Sequence, residues 1–597
     1  MQKILPIVTL VASLNANAVL GPIPIYLNTE YRTDSPVIGP IASALSFSAQ
    51  DIKATGASTF LDFLATIPSV NLFNPQGNVP AVFIRGNKSE HTLFIVDGVS
   101  IVSANSLNGA VEYGLTNIPI NDIEKVEIIK NSGSVLYGSG AIAGVISITT
   151  KKGANGTSAV VSTKFGTNNS KTYTLSANSN NKNGFIRFTH SKYTTDGINS
   201  QTKDTTGEKD SIKNQSTQIK VGNKRFDVSY LKARDKTEYD SFNGTNNGEL
   251  ADTKFTKTML NTNKTFSKNW KSKLSISQIK NNGNNGINAT IIGDKYKSTN
   301  ITLLNDIKTD NALFNVGLSK TDDKNTTKNK KLSSKELFIN WQKNINSIDV
   351  NAGTRYTHHS KFGNKTIYRL STAKYLDNNI KLTANYNTGF KAPTLKNLYG
   401  WDFSGNKSST GANLNLKPET SKNIEVGIEK QYDSSTIRIA LYKNKIKNLI
   451  TTTGTWGTFD YSYVNINKLI TKGLELSVNT DISGYNVDFS HGYNNSKENN
   501  NTIQSIKRPK NTSNLTISKR YAKFNSRIQI IRKSSSLDFG NVKLEGYTLV
   551  NLSSRYDIND KTKISININN AFDKDYTVAN GYNQLGRTFN LGLGYQF

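Results

Sequence analysis

Five carboxylates stand out in a chain that is otherwise strongly basic, with 74 Lys+Arg against 44 Asp+Glu and a formal charge of +30. They are Asp196 in TTDGINS, Glu208 and Asp210 in TTGEKDS, and Asp240 and Asp252 in TEYDSFNGTNNGELADT. Clustered oxygens of this kind suit a hard divalent cation, since calcium takes six to eight oxygen ligands from carboxylates, carbonyls and water. Two hairpin loops meeting at a rim could supply them. Aspartate is also favoured in ordinary solvated turns, so composition alone leaves both readings open.

The elements that would hold such loops are strands. Period-two alternation recurs through the second part of the chain: Phe226, Val228 and Tyr230; Ile348, Val350 and Ala352; Ile380, Leu382, Ala384 and Tyr386; Ile437, Ile439 and Leu441; Ile564, Ile566 and Ile568. Each run has one apolar and one polar face, and Asn, Gly, Ser, Asp, Lys and Thr fill the intervals, as in NNGNNG and SKENNNT. The chain ends on TFNLGLGYQF, with Phe589, Leu591, Leu593, Tyr595 and Phe597 on one side. Ends usually fray unless a sheet holds them, so this reads as a closing strand.

The N-terminus, MQKILPIVTLVASLNANA, has Lys3, an apolar run from Ile4 to Leu14 and a small-x-small site at Ala16-Asn17-Ala18, the pattern of a signal peptide over residues 1–18. No stretch reaches the roughly 18 apolar residues of a membrane helix. In lipid only helices and closed barrels satisfy the backbone, so an exported chain of two-faced strands points to a barrel with its apolar face outward. The 445 residues from 153 onward divide into about 22 strands. Residues 36–152 differ, with a helix-like ASTFLDFLATI and short apolar strands, and form a compact α/β unit. There is no cysteine, hence no disulfide or thiolate metal site. Basic residues are scattered, with no nucleic-acid motif, and no GxSxG, HExxH or P-loop suggests an enzyme.

A small globular unit ahead of a wide barrel resembles the TonB-dependent outer-membrane receptors. FIRG (83–86), VDGV (96–99) and IEKVEIIKNSGSVLYGSGAIAGVISITTKKG resemble that family's plug. TGFKAPTLKNLYG (388–400), NLKPETSKNIEVGIE (415–429), NNAFDKDY (569–576) and the aromatic C-terminus are similar to its barrel. Lys130-Asn131-Ser132 departs from the Arg-Gly-Pro common there, which should alter a local turn and not the fold.

The resemblance implies a β fold: a transmembrane antiparallel barrel (153–597) with an α/β plug (36–152) inside it and a coupling segment at 19–35, in the outer membrane of a Gram-negative bacterium. It implies active transport with a TonB–ExbB–ExbD complex, assembly by the barrel machinery, contact with outer-membrane lipids and a monomeric state. PIYLNTEYR lies where the TonB box should be, which makes Ile25, Tyr26, Leu27, Asn28 and Thr29 its candidates, extended for strand addition to a partner. The acidic loops, ANGYNQLGR (579–587) and RGNKSEH are similar to the family's cobalamin receptors, in which calcium orders ligand-contacting loops. Calcium at Asp196, Glu208, Asp210, Asp240 and Asp252 follows by that resemblance. So does a ligand floor on plug loops 74–80 and 102–113, with Gln76, Asn78, Asn105, Ser106 and Asn108 offering uncharged hydrogen bonds to a corrinoid. A ferric siderophore or haem is the alternative ligand. His91 receives no ligand role.

Overall fold

In the computed structural model the described residues are 28–33, 36–73, 81–101, 118–153, 155–240, 249–286, 288, 291–293, 295–400, 411–455, 460–499, 501 and 503–597. The signal-peptide reading of 1–18 lies outside them. Two units follow one another along the chain, the second wrapped around the first.

The N-terminal unit is a five-stranded mixed sheet. Its order is Ala44–Ser48, Ile123–Ile129, Gly144–Thr150, Thr92–Val96 and Val99–Ser100. Only the pair Thr92–Val96 and Gly144–Thr150 is parallel. TLFIV is buried at every residue, the continuous apolar signature of a strand covered on both faces. Two short helices, Ala49–Ala54 and Phe60–Ala65, begin at capping boxes: Ser48 with Asp51 and Thr59 with Asp62 each exchange side-chain and backbone bonds. They turn Ile52, Phe60, Phe63 and Leu64 into the core. That same core contains Leu231, Phe255, Met259 and Ile279 from the following strands, so the sheet sits inside the second unit. Gly144 permits this packing, because a Cβ there would lie 2.8 Å from the Ile129 carbonyl oxygen.

The second unit is a closed barrel of 22 antiparallel strands. Closure comes from the C-terminal Thr588–Gln596, which pairs with Gly156–Gly166 in the register Leu591↔Phe165 and Tyr595↔Val161, so no edge is left. Phe589, Leu591 and Leu593 are about half exposed on the outside, while inward positions such as Asn214, Ser216 and Gln218 are polar and buried against the plug side. Short turns crowd one end, and two of them, Asn346-Ser347 and Asn378-Asn379, hold both central residues at positive φ, the requirement of the tight hairpin turn that asparagine tolerates. Long connections (196–211, 239–249, 392–418, 499–510, 534–546 and 570–587) all fall at the other end. Barrels of this type place short turns in the periplasm and long loops outside.

Candidate functional site

The acidic loops project from the outer end. One carboxylate oxygen each from Asp204, Glu208 and Asp240 lies within 4.8 Å of the others. Loop 196–211 shapes the first two. Asp204 accepts from the Thr206 amide at 2.9 Å and from Asn199 Nδ2 at 2.9 Å, which curls the chain back on itself. Asp210 is 1% exposed and accepts from the Ser200 amide at 2.9 Å, tying the two arms of the loop together. Asp240 comes from the next loop, is 2% exposed, and has no well-formed hydrogen bond at either carboxylate oxygen among the described residues.

The electrostatics are those of an anionic nest. Burial pushes Glu208 up to about 7, and Asp210, Asp240 and Asp204 add to it. Burial also pushes Asp240 to about 6 and Glu249 to about 7, with like charges contributing again. No Lys or Arg is ion-paired to Asp204, Glu208 or Asp240 among the described residues. Three converging carboxylates of this kind are a donor set for a hard divalent cation.

Two of the sequence candidates, Asp252 and Asp196, stand apart from these three carboxylates. Asp252 sits within the strand Leu250–Ser267, on the barrel's outer face, and is held by Arg234 at 2.5 Å. Asp196 is exposed, and its carboxylate accepts from Asn169 at 3.3 Å. Period-two alternation decides the first case: Asp252 shares its side with Lys254, while Ala251 and Thr253 are buried. Asp204 and Glu249 were missed. Asp204 begins DTT, a local turn signal that does not reveal which way its second oxygen faces.

Loop 196–211 is also clasped to loop 570–587. The Thr202 amide donates to the Gly581 carbonyl at 3.0 Å, and the Asn583 amide donates to the Ser200 carbonyl at 2.9 Å. From there Ala579 and Tyr582 pack on Phe73 and Phe83 of the plug. The acidic nest is thereby joined, through ANGYNQLGR, to the outer tip of the plug. Gln76, Asn78, Asn105, Ser106 and Asn108 lie outside the described residues.

Below the rim the plug is held by opposite charges. Arg85 meets Glu425 at 2.6 Å and Glu475 at 2.6 Å, and Lys130 meets Glu475 at 3.0 Å. Asp97 lies between Lys220 at 3.2 Å and Lys257 at 3.3 Å, and Asp122 accepts from Arg187 at 2.7 Å. His91 is fully buried, 3.3 Å from Glu419. Lys130, Asn131 and Ser132 keep a buried turn at the site of the sequence departure.

Of the coupling candidates, Ile25, Tyr26 and Leu27 lie outside the described residues. Asn28 and Thr29 differ from the extended conformation expected for strand addition: they open a single helical turn, Asn28–Tyr31. Thr29 Oγ1 donates to Glu127 at 2.6 Å, and Glu30 accepts from the Ala42 amide at 2.9 Å. Glu30, 1% exposed, has its carboxylate satisfied by the Ile41 and Ala42 amides, so the turn is tied to the backbone at 41–42.

Comparison with known proteins agrees with this architecture. The family model described as "TonB dependent receptor-like, beta-barrel" matches residues 147–571, and "TonB-dependent Receptor Plug Domain" matches 39–145. The chain is 26% identical over 609 residues to the vitamin B12 transporter BtuB of Photobacterium profundum, covering 95% of each. It is 26% identical over 593 residues to that of Vibrio vulnificus, covering 93% of each. Among solved structures, the ferric enterobactin receptor PfeA of Pseudomonas aeruginosa aligns with a TM-score of 0.78 at 17% identity, over 97% of this chain and 100% of the other. The siderophore receptor PirA of Acinetobacter baumannii aligns with a TM-score of 0.77 at 16% identity, over 93% and 98%. These last two share the fold. The filled barrel, its plug and the matches over both units make this chain a member of the TonB-dependent receptor family, an outer-membrane transporter of Gram-negative bacteria and not a member of an enzyme family.

Proposed function

We propose that this transporter takes up cobalamin or a related corrinoid, with calcium ordering its outer loops. The observation that carries the substrate is the likeness, over 95% of both chains, to a protein named as a vitamin B12 transporter. The solved relatives named for siderophores share too little sequence to carry a substrate. Calcium would be held by Asp204, Glu208 and Asp240. It would cancel the repulsion among them and lower the ordering cost of ligand binding. The clasp between loops 196–211 and 570–587 would carry that order to the plug tip.

Energy would come from a TonB–ExbB–ExbD complex acting on the segment around 25–29. Strand addition there requires the Asn28–Tyr31 turn to leave its bonds to Glu127 and to the backbone at 41–42. Leu27→Pro removes a main-chain donor, so ligand should still bind at the cell surface while uptake stops. Normal uptake in that variant would place coupling elsewhere.

The direct test is equilibrium binding of cyanocobalamin, a ferric catecholate siderophore and haem to the purified chain, each in calcium and in chelator. Cobalamin binding that strengthens with calcium is the expected result. Siderophore or haem binding without corrinoid binding would replace the substrate and leave the transporter in place.

A further inference from the structure

Three adjacent barrel strands, Glu419–Gln431, Ser435–Thr455 and Asp460–Ile482, carry six lysines on the outer face near the loop end: Lys422, Lys443, Lys445, Lys447, Lys468 and Lys472. Their direction follows from their neighbours. Ser421 and Asn423, Tyr442 and Asn444, and Leu469 and Thr471 are buried, and Asn444 Nδ2 donates to the plug's Asn87 at 2.7 Å, so the alternating lysines face away from the plug. The register sets them directly opposite one another: Lys422↔Lys445, Lys443↔Lys472 and Lys447↔Lys468.

This arrangement is unfavourable if left alone. Directly opposite like charges destabilise a sheet, and neighbouring strands lie only about 4.8 Å apart. None of the six side chains has an ion pair or a hydrogen bond among the described residues. The outward positions between them are Thr420, Ile424 and Ile470, with no carboxylate. Elsewhere on the outer face the same problem is answered internally. Asp252 meets Arg234, and Asp322 lies 3.3 Å from Lys320 and 3.1 Å from Lys331. The six-lysine patch has no such answer among the described residues.

What covers the patch is set by what lies next to it. The two rows beneath are Val426↔Leu441↔Leu474 and Ile428↔Ile439↔Leu476, with Val426 47% and Leu441 50% exposed. That is the apolar band a bilayer covers. Lysines just above it stand at headgroup height, with their stems along the apolar surface and their ammonium groups reaching outward. We propose that this patch is a binding site for a phosphate-bearing lipid of the outer leaflet, its phosphates seated between the opposed lysine pairs. A phosphate brings compact double charge and several acceptor oxygens to rows of ammonium donors, and a basic cluster at a membrane surface gains affinity with each added lysine. A soluble acidic protein would have to reach a surface flanked by acyl chains, so the lipid is the better fit.

The test uses the full chain purified in detergent, titrated with bis-phosphorylated lipid A and with its dephosphorylated form. Bound copies are read by native mass spectrometry, and folding by heat-modifiability on a gel. The phosphorylated form should bind about tenfold or more tightly than the dephosphorylated one, and raising salt should weaken it. Changing all six lysines to Gln should remove that preference, while changing them to Arg should keep it. Equal binding of the two lipids, or an unchanged preference in a folded six-Gln variant, overturns the proposal. Should the six-Gln variant not fold, K443Q with K472Q and the salt dependence of the unaltered protein decide it: preference retained in both overturns the site. Binding of an acidic soluble protein in place of the phosphorylated lipid also overturns it.

Discussion

Two charged regions of this molecule follow opposite rules. Inside the barrel, each plug charge in the main contacts meets an opposite charge: Arg85 with Glu425 and Glu475, Lys130 with Glu475, Asp97 with Lys220 and Lys257, Asp122 with Arg187. At the outer rim, Asp204, Glu208 and Asp240 converge with no Lys or Arg ion-paired to them among the described residues. The interior is complete as built and serves to hold the plug in one position. Under the calcium proposal the rim is completed by a cation, and its order would then depend on what is outside the cell. The two regions are joined, since Phe83 lies two residues before Arg85 and packs under Tyr582 of the clasp.

The largest effect should come from breaking the complete region. Arg85→Ala leaves Glu425 buried with Arg438 as its nearby cation, at 3.9 Å. Removing one partner of a buried pair costs about 3–5 kcal/mol. The plug should therefore loosen while the barrel stays closed. The chain has no cysteine, so a single Ile142→Cys, at a fully buried plug position, reports this as faster thiol labelling in the Arg85→Ala background. Unchanged labelling would mean that the ion pairs do not hold the plug.

Next in size is the rim's response to pH. Glu208 and Asp240 have folded values of about 7 and about 6, above those of free carboxyls. Without cation, that stabilises the loops fully below about pH 4 and the benefit is lost as pH rises through 6 and 7. Cation binding runs the other way, because it needs the ionised forms. Calcium affinity should rise by about a thousandfold between pH 5 and pH 8, roughly a hundredfold from Glu208 and tenfold from Asp240, measured by calorimetry. A flat profile would separate these residues from any cation. Glu208→Gln with Asp240→Asn should abolish calcium binding and leave heat-modifiability unchanged.

How much of this was legible in the sequence depends on which interaction decided each feature. The barrel was, because period-two alternation in runs such as Phe226, Val228 and Tyr230 is a local record of a two-sided environment, and TFNLGLGYQF carries the same record to the closing strand. The plug was, because HTLFIV and GVISITT lack the alternation. The acidic nest was legible only in outline. Loop residues carry no periodic record, so nothing along the chain shows that Asp204 turns inward and Asp196 does not. The ion pairs were hidden for another reason: Arg85 and Glu475 are joined across 390 residues, and single-sequence reading has no access to that distance. The helical turn at Asn28 and Thr29 was not legible, because the contacts it makes, Thr29 to Glu127 and Glu30 to the Ala42 amide, lie far from it or beyond it along the chain.

The smallest expected effect is also the sharpest test of where the rim site ends. Asp252 is acidic and close in sequence to Asp240, yet the strand turns it to the outer face beside Arg234 and Lys236. Asp196 is in the right loop, yet it is exposed, and its carboxylate accepts from Asn169 at 3.3 Å. If the cation site is set by geometry, Asp252→Asn and Asp196→Asn should change calcium affinity by no more than about twofold, the residue of long-range attraction through screened solvent. If it were set by the total negative charge of the loops, each loss would weaken binding as much as Asp204→Asn does. Comparing these three single variants by calcium titration therefore separates a coordinated ion from a diffuse counterion cloud. Equal losses at Asp196, Asp204 and Asp252 would dissolve the contrast between a rim built to coordinate and an interior built to pair.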